Sequence, residues 1–290
     1  MNHRLQGSKD AATAASTHVL HCGDQRIEVD PQAGGRIVSL QLGDTEMLTP
    51  ASVHAENYGS TFWDAPQRNW NWPPRVVLDS APYAAEFEAG VLTLESGIDP
   101  SGLRFVKRFS SNPERGSFDI AYQIQNCGTT ALKVGPWEVT RTPGGLSFFP
   151  YEEVSGLPPT ALEPVRYHEG ICWYAFDAAR LNPGRKLFSG AKEGWLAHVG
   201  PNRCLFVKTF QDTSPGDYAP EQGEVEIWGH DGGIYIELEN HGPYRELAPS
   251  EILEYKVSWS LVRLPAEIAV TPANPELVSF VRALVRHGVS

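Results

Sequence analysis

The residues best able to do chemistry lie in one stretch, Glu224 to Glu239. Val225 and Ile227 alternate there with Glu224, Glu226 and Trp228. After His230-Asp231-Gly232-Gly233, Ile234, Ile236 and Leu238 alternate with Tyr235, Glu237 and Glu239. Successive strand side chains point to opposite faces, so the pattern predicts a β-hairpin with one aliphatic face. The other face collects four carboxylates and two aromatic rings. Such acids repel across a sheet unless something engages them. Aromatic rings stack on the apolar faces of a pyranose, and carboxylates accept its hydroxyl hydrogens or move its protons. The face therefore predicts a site for a small-molecule sugar or sugar derivative. The plainer alternative makes each acid part of the wet side of a half-buried antiparallel sheet.

A second aromatic group lies earlier. Asn57–Pro74 places Trp63, Trp70 and Trp72 among Gln67, Arg68, Asn69 and Asn71, with no single period. Long irregular loops are commonly functional, and rigid rings beside planar polar groups suit a carbohydrate-contacting rim. The competing reading is an apolar plug at one end of the fold. A third segment, Tyr122–Arg141, ends in Trp137, Glu138 and Arg141. Alternation puts Trp137 and Arg141 on one side of their strand and Glu138 on the other. The expected sugar contacts are Trp63, Gln67, Arg68, Trp70, Trp72, Trp137, Arg141, Trp228, Tyr235 and Glu239.

Strands must position these groups. Ala84–Phe87 and Val91–Glu95 flank a turn and predict a hairpin, and Ser117–Asn126 alternates cleanly. Turn signals recur at short intervals, which suits a large antiparallel sandwich or barrel. One helix is expected at about 275–287. Asn274 is its N-cap, Pro275 its first residue, and Leu277, Phe280, Val281, Leu284 and Val285 form its apolar stripe. It is expected to pack outside the sandwich. Residues 1–17 read as a disordered tail and 18–290 as a single domain.

Composition narrows the partners. The chain has 290 residues and a net charge of −11. Its scattered Lys and Arg form no basic stripe for nucleic acid, and no apolar run is long enough to cross a bilayer. Cys22, Cys127, Cys172 and Cys204 show no metal spacing and no disulfide framework, so they read as reduced, buried thiols of a cytoplasmic protein. No cofactor or metal motif is present. A lyase acting on a uronate would need its substrate's charge neutralised, and the acidic face disfavours such an anion.

Several segments together resemble the galactose mutarotase (aldose 1-epimerase) superfamily. Val134-Gly135-Pro136-Trp137-Glu138 looks like its His-Pro-aromatic stretch, and Gly233-Ile234-Tyr235-Ile236-Glu237-Leu238-Glu239 its late Gly-Phe-x-Leu-Glu-Thr-Gln strand. Gly34-Gly35-Arg36-Ile37-Val38-Ser39-Leu40 resembles its opening strand, and Pro249-Ser250-Glu251 its closing turn. With Gly59-Ser60-Thr61-Phe62-Trp63 added, the pattern is most similar to an uncharacterised family of that fold group. The resemblance spans most of residues 25–264. It implies an all-β, antiparallel β-supersandwich with a sugar cleft. It also implies aldose epimerase activity, with Glu237 as the base and a histidine as the acid. His198 and His168 are the candidates for that acid, His198 favoured because it falls on a strand, while His230 in its turn and His241 after the Glu strand read as surface groups. Gly135 stands where mutarotases carry a sugar-contacting His. A non-catalytic sugar-binding protein with the same cleft is the alternative, and a polysaccharide lyase-like enzyme the further one.

Overall fold

The computed structural model describes residues 17–180 and 186–289. The expected tail lies outside the described residues except for Thr17. In chain order the strands begin with β1 (His18–Cys22), β2 (Gln25–Asp30), β3 (Arg36–Leu42), β4 (Thr45–Glu46) and β5 (Ser60–Ala65). Then come β6 (Ala84–Glu88), β7 (Val91–Glu95), β8 (Leu103–Asn112), β9 (Ser117–Asn126), β10 (Leu132–Thr142) and β11 (Leu146–Glu152). The next are β12 (Val165–His168), β13 (Ile171–Ala175), β14 (Lys186–Ala191), β15 (Trp195–Val199) and β16 (Cys204–Phe210). The last are β17 (Val225–Gly229), β18 (Ile236–His241), β19 (Arg245–Leu247) and β20 (Ile252–Arg263). A short α1 (Val76–Asp79) and the terminal α2 (Pro275–His287) are the α-helices among the described residues.

Pairing is antiparallel and builds two large sheets. The first runs β1-β2-β3-β5-β10-β18-β17-β14. The second runs β6-β7-β8-β9-β20-β16-β15-β11-β13-β12. Their inner faces meet in the core. Phe62 of β5 stacks on Tyr122 of β9 at 4.2 Å and meets Phe105 of β8 edge-on at 5.0 Å. Full burial of one such side chain stabilises the fold by roughly 1.5–3 kcal/mol. The core also holds an ion pair. Lys208 Nζ of β16 lies 2.7 Å from Glu138 Oε1 of β10, both side chains fully buried, and Trp259 Nε1 donates to the same carboxylate oxygen at 3.2 Å.

The helix α2 follows its sequence signals. Asn274 Oδ1 accepts the Glu276 N–H at 3.0 Å, Pro275 opens the first turn, and Gly288 follows the last. Leu277, Val278 and Val281 bury against Trp173, Trp195 and Leu205 on the outer face of the second sheet. Leu277 is fully buried. Leu277→Ala is expected to cost about 2–5 kcal/mol, through lost transfer energy and the cavity left behind. A lower midpoint of urea unfolding would show it.

Two expectations change. The Asn57–Pro74 segment is not wholly a loop, because β5 runs through it. All six β5 residues are buried, so both of its faces are covered and no polar alternation marks the strand. Cys127 is exposed, whereas the other three thiols are buried.

Candidate functional site

The hairpin β17–β18 forms with Gly229 opposite Ile236, but Ile234, expected on the aliphatic face, lies ahead of β18 and is exposed. Ile227, Ile236 and Leu238 enter the core. The acidic face turns outward from the sandwich, and cross-strand register assembles it into rows. Lys186, Trp228, Glu237 and Arg141 stand side by side across β14, β17, β18 and β10. The next row holds Phe188, Glu226, Glu239, Val139 and Thr61. The third places His241, Trp137 and Trp63 together.

Arg141 engages Glu237. Its Nε donates to Glu237 Oε1 at 2.8 Å, and the side chains are 1% and 13% exposed respectively. Arg141 Nη1 donates to Thr61 Oγ1 at 3.3 Å, and the guanidinium lies 5.4 Å from the Trp63 ring centre. Trp63 Nε1 donates to Asp79 Oδ1 at 2.7 Å. The arginine is therefore fixed from three sides and takes one oxygen of Glu237.

Backbone bonds at Arg141 also close a loop over this end. Thr49 N donates to Arg141 O (2.9 Å), Arg141 N to Gly59 O (3.0 Å), and Gly59 N to Thr49 O (2.8 Å). Gly59 has φ +60°, and a Cβ there would lie 2.2 Å from Ile37 O, so only glycine fits. This loop carries His54, whose ring lies 5.9 Å from Tyr235 and 5.5 Å from His230. Burial pushes the Tyr235 phenol up to about 12, with Glu237 adding to the shift and Arg141 opposing it.

The second row holds a buried charge cluster. Lys186 Nζ lies 2.6 Å from Glu226 Oε2 and 2.8 Å from Glu239 Oε2. Trp137 Nε1 donates to Glu239 Oε2 at 2.6 Å, and His241 stacks on Trp137 at 5.2 Å. Burial alone would raise Glu226, but Lys186 and His241 outweigh it and hold this carboxyl low. Burial pushes Glu239 up; Lys186 opposes that, and Glu226 and Glu237 reinforce it. Donor atoms of Glu226, Glu239 and His241 lie within 4.8 Å of one another, a spacing that suits a cation. The Lys186 ammonium supplies that positive charge here.

Glu224, just ahead of β17, is engaged as well. Its carboxylate accepts from Thr213 N at 2.5 Å and Tyr218 Oη at 3.3 Å. Burial pushes it up to about 8, against the Thr213 hydrogen bond. Between about pH 4.3 and about 8 the native state holds a proton that the unfolded chain has released. Its stability contribution is thus complete below the lower value and gone above the upper one. Thermal unfolding is expected to show the wild-type protein losing stability across this window relative to Glu224→Gln. Parallel curves for the two proteins would contradict the expectation.

The structure divides the expected contacts by depth. Trp63, Trp137, Arg141, Tyr235 and Glu239 are all buried. Trp63 packs edge-on against Trp137 at 5.0 Å, and Trp70 lies 6.2 Å from Trp137. These groups form a supporting layer, as the plug reading holds, and Glu239 lies beneath Lys186 and Trp137. Trp70 and Trp228 are half-buried, and Gln67, Arg68 and Trp72 are exposed. Arg68 reaches Glu221 at 3.7 Å. Trp72 lies 6.0 Å from Trp63, which suits the rim reading.

The two expected acids lie elsewhere. His168 ends β12 and lines a small cavity with α2, on the outer face of the opposite sheet. His198 on β15 is fully buried, with Nδ1 2.9 Å from Ser147 Oγ. Burial pushes it down to about 4, against a hydrogen bond to the Pro143 backbone. Its partners belong to β11 and the end of β10. Three other imidazoles, those of His54, His230 and His241, stand at the Glu237 face instead. No sequence signal marks His54, and His230 and His241 were expected on the surface. His230 is half-buried and His241 buried.

No protein-family profile matches this chain, and no curated protein matches it. Solved structures do. A galactose mutarotase related enzyme from Lactobacillus acidophilus superposes with a TM-score of 0.60 at 10% identity, covering 89% of this chain and 99% of that one. A galactose mutarotase-like protein from Lactobacillus casei gives 0.58 at 9% identity, covering 85% and 100%. Another from Clostridium acetobutylicum gives 0.52 at 10% identity, covering 85% and 95%. At these identities the likeness is one of fold. The chain has the galactose mutarotase-like β-sandwich, with α2 as its one helix of more than four residues among those described.

Proposed function

We propose that this protein binds an aldose or aldose derivative on the outer face of its first sheet and interconverts its anomers, with Glu237 as the base. One observation carries the reading: Glu237 is part-exposed beside Trp228, and Arg141 takes only its Oε1. A carboxylate buried on both oxygens would be a structural counter-ion; this one keeps Oε2 for a ligand. In the reaction Glu237 accepts the O1 proton as the C1–O1 double bond forms, the C1–O5 bond breaks with its electron pair passing to O5, and solvent water relays the proton from Glu237 to O5. Rotation about C1–C2 and reclosure give the other anomer. Trp228 offers the apolar face of the sugar a platform, and exposed Trp72, Gln67 and Arg68 suit the rim.

A non-catalytic carbohydrate-binding protein is the second reading. The separation of His198 and His168 from Glu237 favours it, because neither can protonate a sugar held there. Polarimetry on freshly dissolved aldoses separates the two. Faster relaxation of optical rotation supports the epimerase. Sugar-induced tryptophan fluorescence changes without faster relaxation support the binding protein.

A further inference from the structure

We infer that the ligand of this site is a neutral reducing oligosaccharide, with its reducing unit at Glu237 and its further units running over β14 into a second cleft. This extends the sugar site proposed at Glu237 and rests on it. The second cleft holds about 400 Å³, a volume in the range of small-ligand pockets. Tyr151, Glu152, Glu153, Val154, Tyr167 and Phe188 are among the residues that line it.

Strand register joins this cleft to Glu237. Trp228 stands opposite Glu237 on one side and Lys186 on the other. Phe188 comes two residues after Lys186 on β14, so its side chain rises from the same outer face. The Lys186 ammonium lies 5.7 Å from the Phe188 ring centre. Gly190 comes two residues later again, and a Cβ there would lie 2.5 Å from Val154 Cγ2. The chain at Val154 therefore folds over this same face just past Phe188 and walls the far side of the cleft. Strand spacing and rise set Phe188 roughly 12 Å from Glu237, backbone to backbone. One pyranose resting on Trp228 does not reach that far, whereas a chain of two or three does. Trp228, Lys186 and Phe188 each keep part of their surface exposed along the way.

The lining suits sugar units without charge. The Tyr151 and Tyr167 rings lie 4.7 Å apart, and Tyr167 is 50% exposed. An exposed ring of this kind offers the apolar face of a pyranose a platform, as Trp228 does beside Glu237. Glu153 is exposed next to it and its carboxylate accepts hydroxyl hydrogens. Two carboxylates and no basic side chain line the cleft; Lys192, 3.9 Å from Glu152, is not part of the lining. Such a surface repels a phosphate or a uronate. In an oligosaccharide only the reducing unit carries a free O1, so that unit is the one that meets Glu237.

Titration calorimetry on the full chain tests the inference. The probes are glucose and galactose, and the reducing disaccharides maltose, cellobiose, lactose and galactobiose. At least one disaccharide is expected to bind about tenfold tighter than the monosaccharide of its reducing unit. Tyr167→Ala, at a half-exposed position outside the core, is expected to remove that gain, so that the two bind alike. Disaccharides that bind no tighter than their monosaccharides, or a gain that survives Tyr167→Ala, overturn the inference and leave the sugar site at Glu237 standing. A wild-type protein that binds none of these sugars sinks that site and this inference with it.

Discussion

Glu237→Gln is expected to slow the proposed anomerisation by at least about 10²-fold, the lower end of what a positioned acid or base contributes. The substitution keeps the volume of the side chain and an oxygen for Arg141 Nε. What it removes is the basic oxygen proposed to take the O1 proton. Sugar affinity is expected to stay close to wild type, because Trp228 and the exposed rim still meet the ligand. Polarimetry measures the rate and tryptophan fluorescence the affinity. Loss of both together would mean that Glu237 holds the sheet rather than the chemistry, since Arg141 would then be left without a full counter-charge at its Nε.

Lys208→Ala is expected to cost about 3–5 kcal/mol of folding stability. The lysine lies opposite the site, inside the core, and Glu138 is its fully buried partner. Burial pulls Lys208 below the usual lysine range, while Glu138 pushes it back up. Removing the ammonium leaves the Glu138 carboxylate with the Trp259 indole N–H as its hydrogen-bond donor. A buried charge stripped of its counter-ion is the costly case. The double variant Lys208→Met, Glu138→Leu is expected to recover much of the loss, because well-packed apolar pairs often equal or better a buried ion pair. Denaturant unfolding of the wild type and the two variants decides it. If the double variant is no more stable than Lys208→Ala, the penalty does not come from the stranded charge.

The sequence made some of this site legible and hid the rest for physical reasons. Arg141 and Glu237 emerged because strand alternation is local, and it set Arg141 with Trp137, away from Glu138. The hairpins, β9 and α2 emerged in the same way, each carrying its own period and caps. Lys186 showed no such signal. It meets Glu226 and Glu239 because β14 pairs with β17 across almost forty residues of chain, and no local period reports that pairing. β5 hid inside an aromatic segment because both of its faces are covered. His54 and His230 sit in a loop and a turn, where sequence marks a change of direction and not what lies beside it. His241 looked exposed next to a glycine, yet β10 covers it through Trp137. The choice of His198 went wrong because occupying a strand does not say which sheet the strand joins; β15 belongs to the second.

The loop from Thr49 to Gly59 begins and ends on the backbone of Arg141, the residue whose side chain holds Glu237. Its two ends are hydrogen-bonded to each other, so it behaves as a cassette plugged into a fixed socket. Lengthening a flexible loop is cheap once its ends are tied; a doubling adds only about 0.6 kcal/mol of closure entropy. The strands beneath have no such freedom, since one residue inserted into β18 would turn Glu237 inward and a core aliphatic outward. Changes can therefore accumulate in the loop above the sheet while Glu237 and Arg141 stay in register. The roof of this site is exchangeable, and its floor is not.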